Sequence, residues 1–304
     1  MRHAYLIIAH SNWEQLQLLL RSLDSDGNDI YIHIDKKAKD VPVNELKIST
    51  EKSSVEIFRT YKVYWGSYEL VQSELLLFEQ AHKRHYDYYH LLSGADLPIK
   101  PQKDILRFFE EHNGYEFIHY DTEERLEKDH EIRRRTQLYH FLQNYRRRFS
   151  FAGLNLMFTF VERMLLALQL VSRVDRMKKH PEFPIKYGSQ WVSITDDLVD
   201  YLLSQKELIG DVFKYTNCAD ELFIQSVVYN SEFRHRLYDP NFDDGMHGNM
   251  RLIDMKHRGK NGNPYTWKIT DWNEIQNSPC LFARKFNIQE DPKIIEKVLA
   301  YVSN

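Results

Sequence analysis

The stretch AYLIIAHSNWEQLQLLLRSLDSDGNDIYIHID, residues 4–35, decides the fold. Its first seven residues are a short run too apolar to alternate, as expected of a strand covered on both faces. Ser11, with Glu14 three residues on, has the spacing of a capping box, and Leu16, Leu19, Leu20 and Leu23 continue at helical spacing. DIYIHID then alternates and ends at Asp35. The pattern repeats. VEIFRT (55–60) reads as a strand, GSYELVQSELLLFEQAHKR (66–84) as a helix, YYHLLSG (88–94) as a strand, QKDILRFFEEH (102–112) as a helix and YEFIHYD (115–121) as a strand. Such alternation predicts an α/β domain with a mostly parallel sheet and helices on its faces. Ligands in such sheets bind beyond the carboxyl ends of the strands. His10, Asp35 and Asp96 fall there.

With 304 residues, 42% of them hydrophobic, the chain is long enough for a large core. A net charge of −3 is not the footprint of a nucleic-acid binder. Two cysteines, Cys218 and Cys280, fit a reducing compartment rather than a disulfide framework. The apolar start is too short for a signal peptide. No window holds about 18 uninterrupted apolar residues, so no spanning helix is expected. A cytoplasmic protein is expected.

Residues 123–186 differ from their surroundings. From Thr136 to Lys186 there are nine Lys/Arg against three acids, around the apolar run FAGLNLMFTFVERMLLALQLV (151–171). A basic, apolar helical insertion of this kind suits peripheral contact with an anionic membrane through 146–179, or a helix packed on the domain with solvated charges. The expected layout is one domain, 1–304, with halves 1–122 and 187–304 about this insertion.

After it α/β character returns. YGSQWVSIT (187–195) reads as a strand, DDLVDYLLSQ (196–205) as a helix capped by Thr195 or Asp196, and SPCLFARKF (278–286) as the close of the core. CADELFIQSVVYNS (218–231) places Asp220 and Glu221 at the mouth of an apolar helix. Acids there cap free N–H groups and answer the helix dipole. A general base at a pocket rim needs the same residue type. The stretch alone leaves both readings open.

Several chemistries are missing. There is no GxxxxGK[ST] loop, no GxGxxG after the first strand and no GxSxG elbow. No Asp-x-Asp closes a strand, as a metal-dependent nucleotide-sugar transferase would need.

IHIDKKA (32–38), YWGSYELVQSELLL (64–77), HLLSGADLPIKPQ (90–102), YGSQWVSIT (187–195), ADELFIQSVVYNS (219–231) and LFARKF (281–286) occur in this order. Together they resemble the core-2/I-branching N-acetylglucosaminyltransferases and peptide O-xylosyltransferases, glycosyltransferase family 14. The resemblance implies a Rossmann-like GT-A fold and an inverting transfer from a UDP-sugar, GlcNAc or xylose, without an obligatory metal or cofactor. It implies Glu221 as general base, with Asp220 as its capping neighbour. Arg284 and Lys285 would supply positive charge to the leaving diphosphate, assisted by Arg258. Asp35 would contact ribose or uracil and His10 the uridine. Trp65, Gly66 and Ser67 precede a helix N-terminus where backbone can approach the donor, and Asp96 would lie near the donor sugar. Ser189 and Gln190 would line the acceptor site, with Trp191 as core residue or acceptor platform. Arg133 to Arg135 are read as solvated. The expected acceptor is a glycan or lipid-linked oligosaccharide in surface or capsular polysaccharide synthesis, at the inner face of the membrane. The rival readings are a catalytically silent sugar- or nucleotide-binding protein of the same fold and a membrane adaptor.

Overall fold

A strand with no polar side needs cover on both faces, and β1 (His3–Ala9) has it. The computed structural model describes residues 1–145, 148–149, 151–242, 247–259 and 262–303. Through its first half run α1 (Trp13–Leu23), β2 (Asn28–Ile34), α2 (Val43–Lys47), β3 (Val55–Phe58), α3 (Tyr68–His82), β4 (Tyr88–Ser93), β5 (Asp96–Pro98) and α4 (Gln102–Glu111). Then follow α5 (Glu123–Lys128), α6 (His130–Gln137), α7 (Ala152–Val171), β6 (Ser193–Thr195), α8 (Asp196–Ser204), α9 (Lys206–Phe213) and α10 (Phe223–Tyr229). The chain ends with β7 (Arg251–Ile253), α11 (Trp272–Asn277), β8 (Phe282–Arg284) and α12 (Pro292–Val302).

The main sheet has the order β3-β2-β1-β4-β6. Its first four strands are parallel, and β6 joins β4 antiparallel. Alternate residues of β1 enter two different cores. Ala4 and Leu6 pack with residues of α3, α8, α9 and α10. Tyr5, Ile7 and Ala9 pack with α1, α4 and α12. This is the Rossmann-like α/β architecture expected, with helices on both faces. A second sheet, β5-β8-β7, extends it beyond the carboxyl end of β4.

Several local expectations are corrected. The capping box at Ser11 does not form: α1 starts at Trp13 after Asn12, a left-handed residue (φ 56°) whose side chain caps nothing. Residues 115–121 make isolated bridges, Glu116 to Leu237, Phe117 to Ser193 and Tyr120 to Gly188, rather than a continuous strand. Within 187–195 only Ser193–Thr195 joins the sheet, because the Ser189 hydroxyl accepts from the Trp191 N–H (3.3 Å) and turns the chain before it. Thr195 does cap α8, accepting from the Leu198 N–H.

The insertion also departs from expectation. α7 is long and apolar enough to cross a membrane by length and composition (mean hydropathy 1.5), although polar residues interrupt it. Seven of the nine basic residues are described, and two of these are not on the surface. Arg176 is buried, donating to the carbonyls of Leu138 and Val212, and Lys186 is buried against Glu123 with its ammonium 4.0 Å from the Tyr229 ring. Arg146 and Arg147 lie outside the described residues.

Gly188 ties the insertion to the rest. Its N–H donates to the Glu221 carbonyl (3.0 Å), and a Cβ there would stand 2.0 Å from the His119 carbonyl oxygen. Backbone cannot retreat as a flexible side chain can. Gly188→Ala is therefore expected to destabilise the protein by about 1–3 kcal/mol or more, seen as a lower urea midpoint at unchanged m-value. A wild-type midpoint would show that the 119 and 188 segments can separate freely.

Candidate active site

The chain reaches Glu221 through a tight turn. Cys218 is left-handed (φ 51°) and its N–H donates to the Gly66 carbonyl (2.9 Å). Ala219–Glu221 then forms a single 3-10 turn, and α10 starts only at Phe223. No side chain caps α10, so Asp220 is not the capping neighbour it was expected to be. It is buried instead, and its Oδ1 has no hydrogen-bond partner among the described residues. Adjacent residues on so tight a turn point apart, and Glu221 faces outward, about one-third exposed. Its Oε2 accepts from Arg135 Nη1 at 2.7 Å. Arg135 sits in the last turn of α6, near the Tyr187 ring (5.9 Å), so it is not solvated as read from the sequence.

Behind this turn lies a second carboxyl. Glu74, on α3, is fully buried; its Oε1 accepts from Gln190 Nε2 (3.1 Å) and its Oε2 has no partner among the described residues. Burial, and then the charge of Asp220, push the Glu74 carboxyl well above the usual range. Burial, and then the charge of Glu221, push Asp220 up to about 7. Gly66 fits against the same turn. It has φ +75°, and a Cβ there would meet Asn217 Oδ1 at 2.7 Å and Cys218 Sγ at 3.1 Å. The glycine is thus required by the turn's backing. Ser67 is buried with its hydroxyl accepting from the Tyr64 N–H (3.3 Å), whereas Trp65 is 57% exposed.

The expected donor residues gather at the carboxyl ends of the strands. Asp35 follows β2; its N–H donates to the Ala9 carbonyl, and its carboxylate takes Lys37 through both backbone N–H (2.9 Å) and ammonium (2.8 Å). His10 follows β1 and is exposed. Asp96 is buried beyond β4, accepting from the Ser93 N–H, the Ser93 hydroxyl and Arg284 Nη1 (2.7 Å). The Arg284 guanidinium lies 4.6 Å from the Trp191 ring. Trp267 fixes this segment, donating from its indole to the Arg284 carbonyl and from its backbone to the Lys285 carbonyl. Lys285 is half-buried beside it. Arg258 is exposed in the loop after β7, with no contact to Arg284 among the described residues.

Ser189, Gln190 and Trp191 connect the two ends. Ser189 and Trp191 are buried, and Gln190 reaches Glu74. The Ser189 carbonyl accepts from Gln225 Nε2 (2.6 Å), and the Trp191 carbonyl from Asn249 Nδ2 (2.9 Å). They form a floor that links Arg284 to Glu74, Asp220 and Glu221. The signal for Glu74 in the sequence was weak, since it sits inside the helix motif 64–77. For Arg135 there was none, because 86 residues separate it from Glu221.

Among the described residues, one cluster could hold a metal. His82 Nδ1 and His85 Nδ1 lie 3.0 and 2.8 Å from the two oxygens of Asp196. Each ligand atom already has a partner within the trio. His85 and Asp196 line a cleft of about 410 Å³ at the amino-terminal edge of the sheet, away from Glu221.

Asp220 generates a pH prediction. A carboxyl whose pKa rises on folding holds its proton more tightly in the folded state. Its contribution to stability is full below the unfolded value of 3.8 and is lost as pH rises through about 7. Asp220→Asn is therefore expected to keep the fold and flatten the fall in Tm across that window. A wild-type pH profile in the variant, or a loss of stability at low pH, would return Asp220 to an ordinary ionised role.

Comparison with known proteins gives these residues a family. The model for "Core-2/I-Branching enzyme" matches residues 3–294. A xylosyltransferase of Caenorhabditis briggsae, sqv-6, is 24% identical over 94% of this chain, which spans only 34% of that protein. The human N-acetyllactosaminide beta-1,6-N-acetylglucosaminyl-transferase is 22% identical over 96% of this chain and 70% of its own length. Among solved structures, the core-mannan synthase A of Aspergillus fumigatus in Mn/GDP form is similar, with a TM-score of 0.34, 11% identity and coverage of 76% of this chain and 71% of that one. The expectation of a metal-free reaction does not stand: the structure of that synthase is a Mn/GDP form. With a family model that covers nearly all of its length, the chain belongs to the Core-2/I-Branching enzyme family.

Proposed function

We propose that the protein is a glycosyltransferase that moves a sugar from a UDP-sugar to a hydroxyl of a glycan acceptor, with inversion at the anomeric carbon and Glu221 as general base. GlcNAc and xylose are the donor sugars that the relatives' names support. The observation that carries the reading is the state of the Glu221 carboxylate. It stands at the rim, with Oε2 held by Arg135 and Oε1 without a hydrogen bond among the described residues. One oxygen is oriented and the other is available to an acceptor.

In the transfer, the acceptor oxygen attacks the anomeric carbon from the face opposite UDP. The new glycosidic bond forms as the carbon–oxygen bond to UDP breaks, and UDP leaves with that electron pair. Glu221 takes the acceptor's proton. Trp267 holds the backbone carbonyls of Arg284, the last residue of β8, and of Lys285 after it, and in this reading the two cations make charge-assisted contacts to the diphosphate. Asp35 and His10 stand at the strand ends where a nucleotide is received in such sheets. The acceptor in this reading is a glycan or lipid-linked oligosaccharide of surface polysaccharide synthesis. The enzyme would meet it at the cytoplasmic face of the membrane, in peripheral contact through 146–179.

The test follows UDP released from UDP-GlcNAc or UDP-xylose, since slow hydrolysis needs no acceptor. Glu221→Gln is expected to retain UDP binding and to lose transfer by ~10²–10⁴-fold. Near wild-type turnover in that variant removes Glu221 from the mechanism. Arg135 acts through Glu221 as a positioning residue. Arg135→Ala should lower kcat on the order of 10-fold or more with UDP affinity unchanged, and Arg135→Lys should recover part of the loss. Equal turnover in wild type and both variants would mean that the ion pair has no part in the reaction.

A further inference from the structure

α7 is amphipathic in the inverted sense. Its domain side carries the polar residues. Glu162 accepts from the Leu142 N–H (3.1 Å) and faces His140. Gln169 accepts from the Tyr139 N–H (2.7 Å) and donates to the Tyr139 carbonyl (3.0 Å). Asn155 Oδ1 accepts from the Phe149 N–H (2.9 Å). The opposite side carries Leu156, Phe160, Met164, Leu168 and Val171, at spacings of four, four, four and three, each more than half exposed. A soluble helix ordinarily turns such a stripe inward, and a contiguous apolar face of this size marks an interaction surface.

We infer that α7 is an interfacial helix, by which the enzyme lies on an anionic bilayer with this stripe in the acyl boundary. Charge selects the occupant. Arg163 stands exposed at the stripe's edge, Arg148 is exposed before the helix, and Arg173, Lys178 and Lys179 are exposed after it. Of the three acids in the segment 136–186, Glu162 is buried on the domain side, Asp175 accepts from the Met177 N–H and only Glu182 is exposed, against five exposed cations. Cations fringing an apolar stripe are what anionic headgroups receive. A second copy is disfavoured, because a twofold contact would set each cationic fringe against itself. The helix lies on the bilayer rather than across it. To span, it would have to break the Glu162, Gln169 and Asn155 bonds and carry those groups into hydrocarbon.

The surface bears on the site. Glu162 and Gln169 grip residues 139–142, which continue directly from α6, and α6 holds Arg135 against Glu221. A helix seated on lipid thus steadies the segment that carries the base's partner. Only the identity of a lipid-borne acceptor rests on the proposed transfer reaction; the docking does not.

The test uses the full chain, sedimented with phosphatidylcholine vesicles with and without phosphatidylserine. Binding is expected to the anionic vesicles alone, weakened but not abolished by high salt, and released by alkaline carbonate. The variant Phe160→Ser, Met164→Ser, Leu168→Ser should bind at least ~10-fold less, with its melting temperature and UDP-sugar hydrolysis kept, since these side chains meet solvent. No binding to anionic vesicles, or equal binding to neutral ones, overturns the inference. So does a dimeric mass in solution that the triple variant makes monomeric, which gives the face to a second copy. Resistance to carbonate makes the helix a span and overturns it too. Vesicle binding without any UDP-sugar hydrolysis sinks the transferase reading and leaves the docking standing; hydrolysis without vesicle binding does the reverse.

Discussion

One backbone hydrogen bond, from the Cys218 N–H to the Gly66 carbonyl, sets the geometry of the site. It pins a left-handed residue against the start of α3 and forces the next three residues into a single turn. Two adjacent acids are thereby sent in opposite directions. Asp220 goes into the core beside Glu74, and Glu221 goes to the rim and Arg135. Gly66 has to be glycine for this, because any Cβ would occupy the space of Asn217 and Cys218. The two segments are about 150 residues apart in the chain, so the turn exists only once α3 and the 218–221 segment have met.

The sheet explains why the remaining site residues converge. Four parallel strands end at one edge, and the small second sheet continues beyond it. Asp96 opens β5 and Arg284 closes β8, and the antiparallel register pairs them directly. The same register puts the guanidinium over Trp191, so the floor from Arg284 to Gln190 to Glu74 is continuous.

The central strands were legible in the sequence because β1 and β4 leave short apolar runs and β2 alternates, all three too short for a helix and bounded by turn residues. His10, Asp35 and Asp96 were placed at strand ends for the same reason. What was not legible had two causes. Local rules were overridden by the path of the chain: Ser11 and Asp220 have capping chemistry, but a left-handed residue, Asn12 next to Ser11 and Cys218 two before Asp220, turns the chain and neither caps. Other features are pairings between distant segments, such as Arg135 with Glu221, or Glu162 with the Leu142 backbone, and no short pattern records them. The apolar stripe of α7 was visible as composition, yet its outward direction follows from those inner polar bonds.

The buried carboxyls raise the question of why a fold keeps two of them behind its proposed base. Removing an ionised carboxylate from water without a partner is costly, and such a group holds its proton instead. Glu74 and Asp220 are in that situation, each with an oxygen that no donor reaches among the described residues. If both ionised, two further negative charges would lie behind Glu221, whose cationic partner among the described residues is Arg135. Protonated, they are neutral hydrogen-bonding groups and add no negative charge behind Glu221. That arrangement suits the role proposed for the outward carboxylate, which is to accept a proton from an incoming hydroxyl. The inner pair, whose titration reaches up to about 7 at Asp220, would set how far this selectivity persists as pH rises.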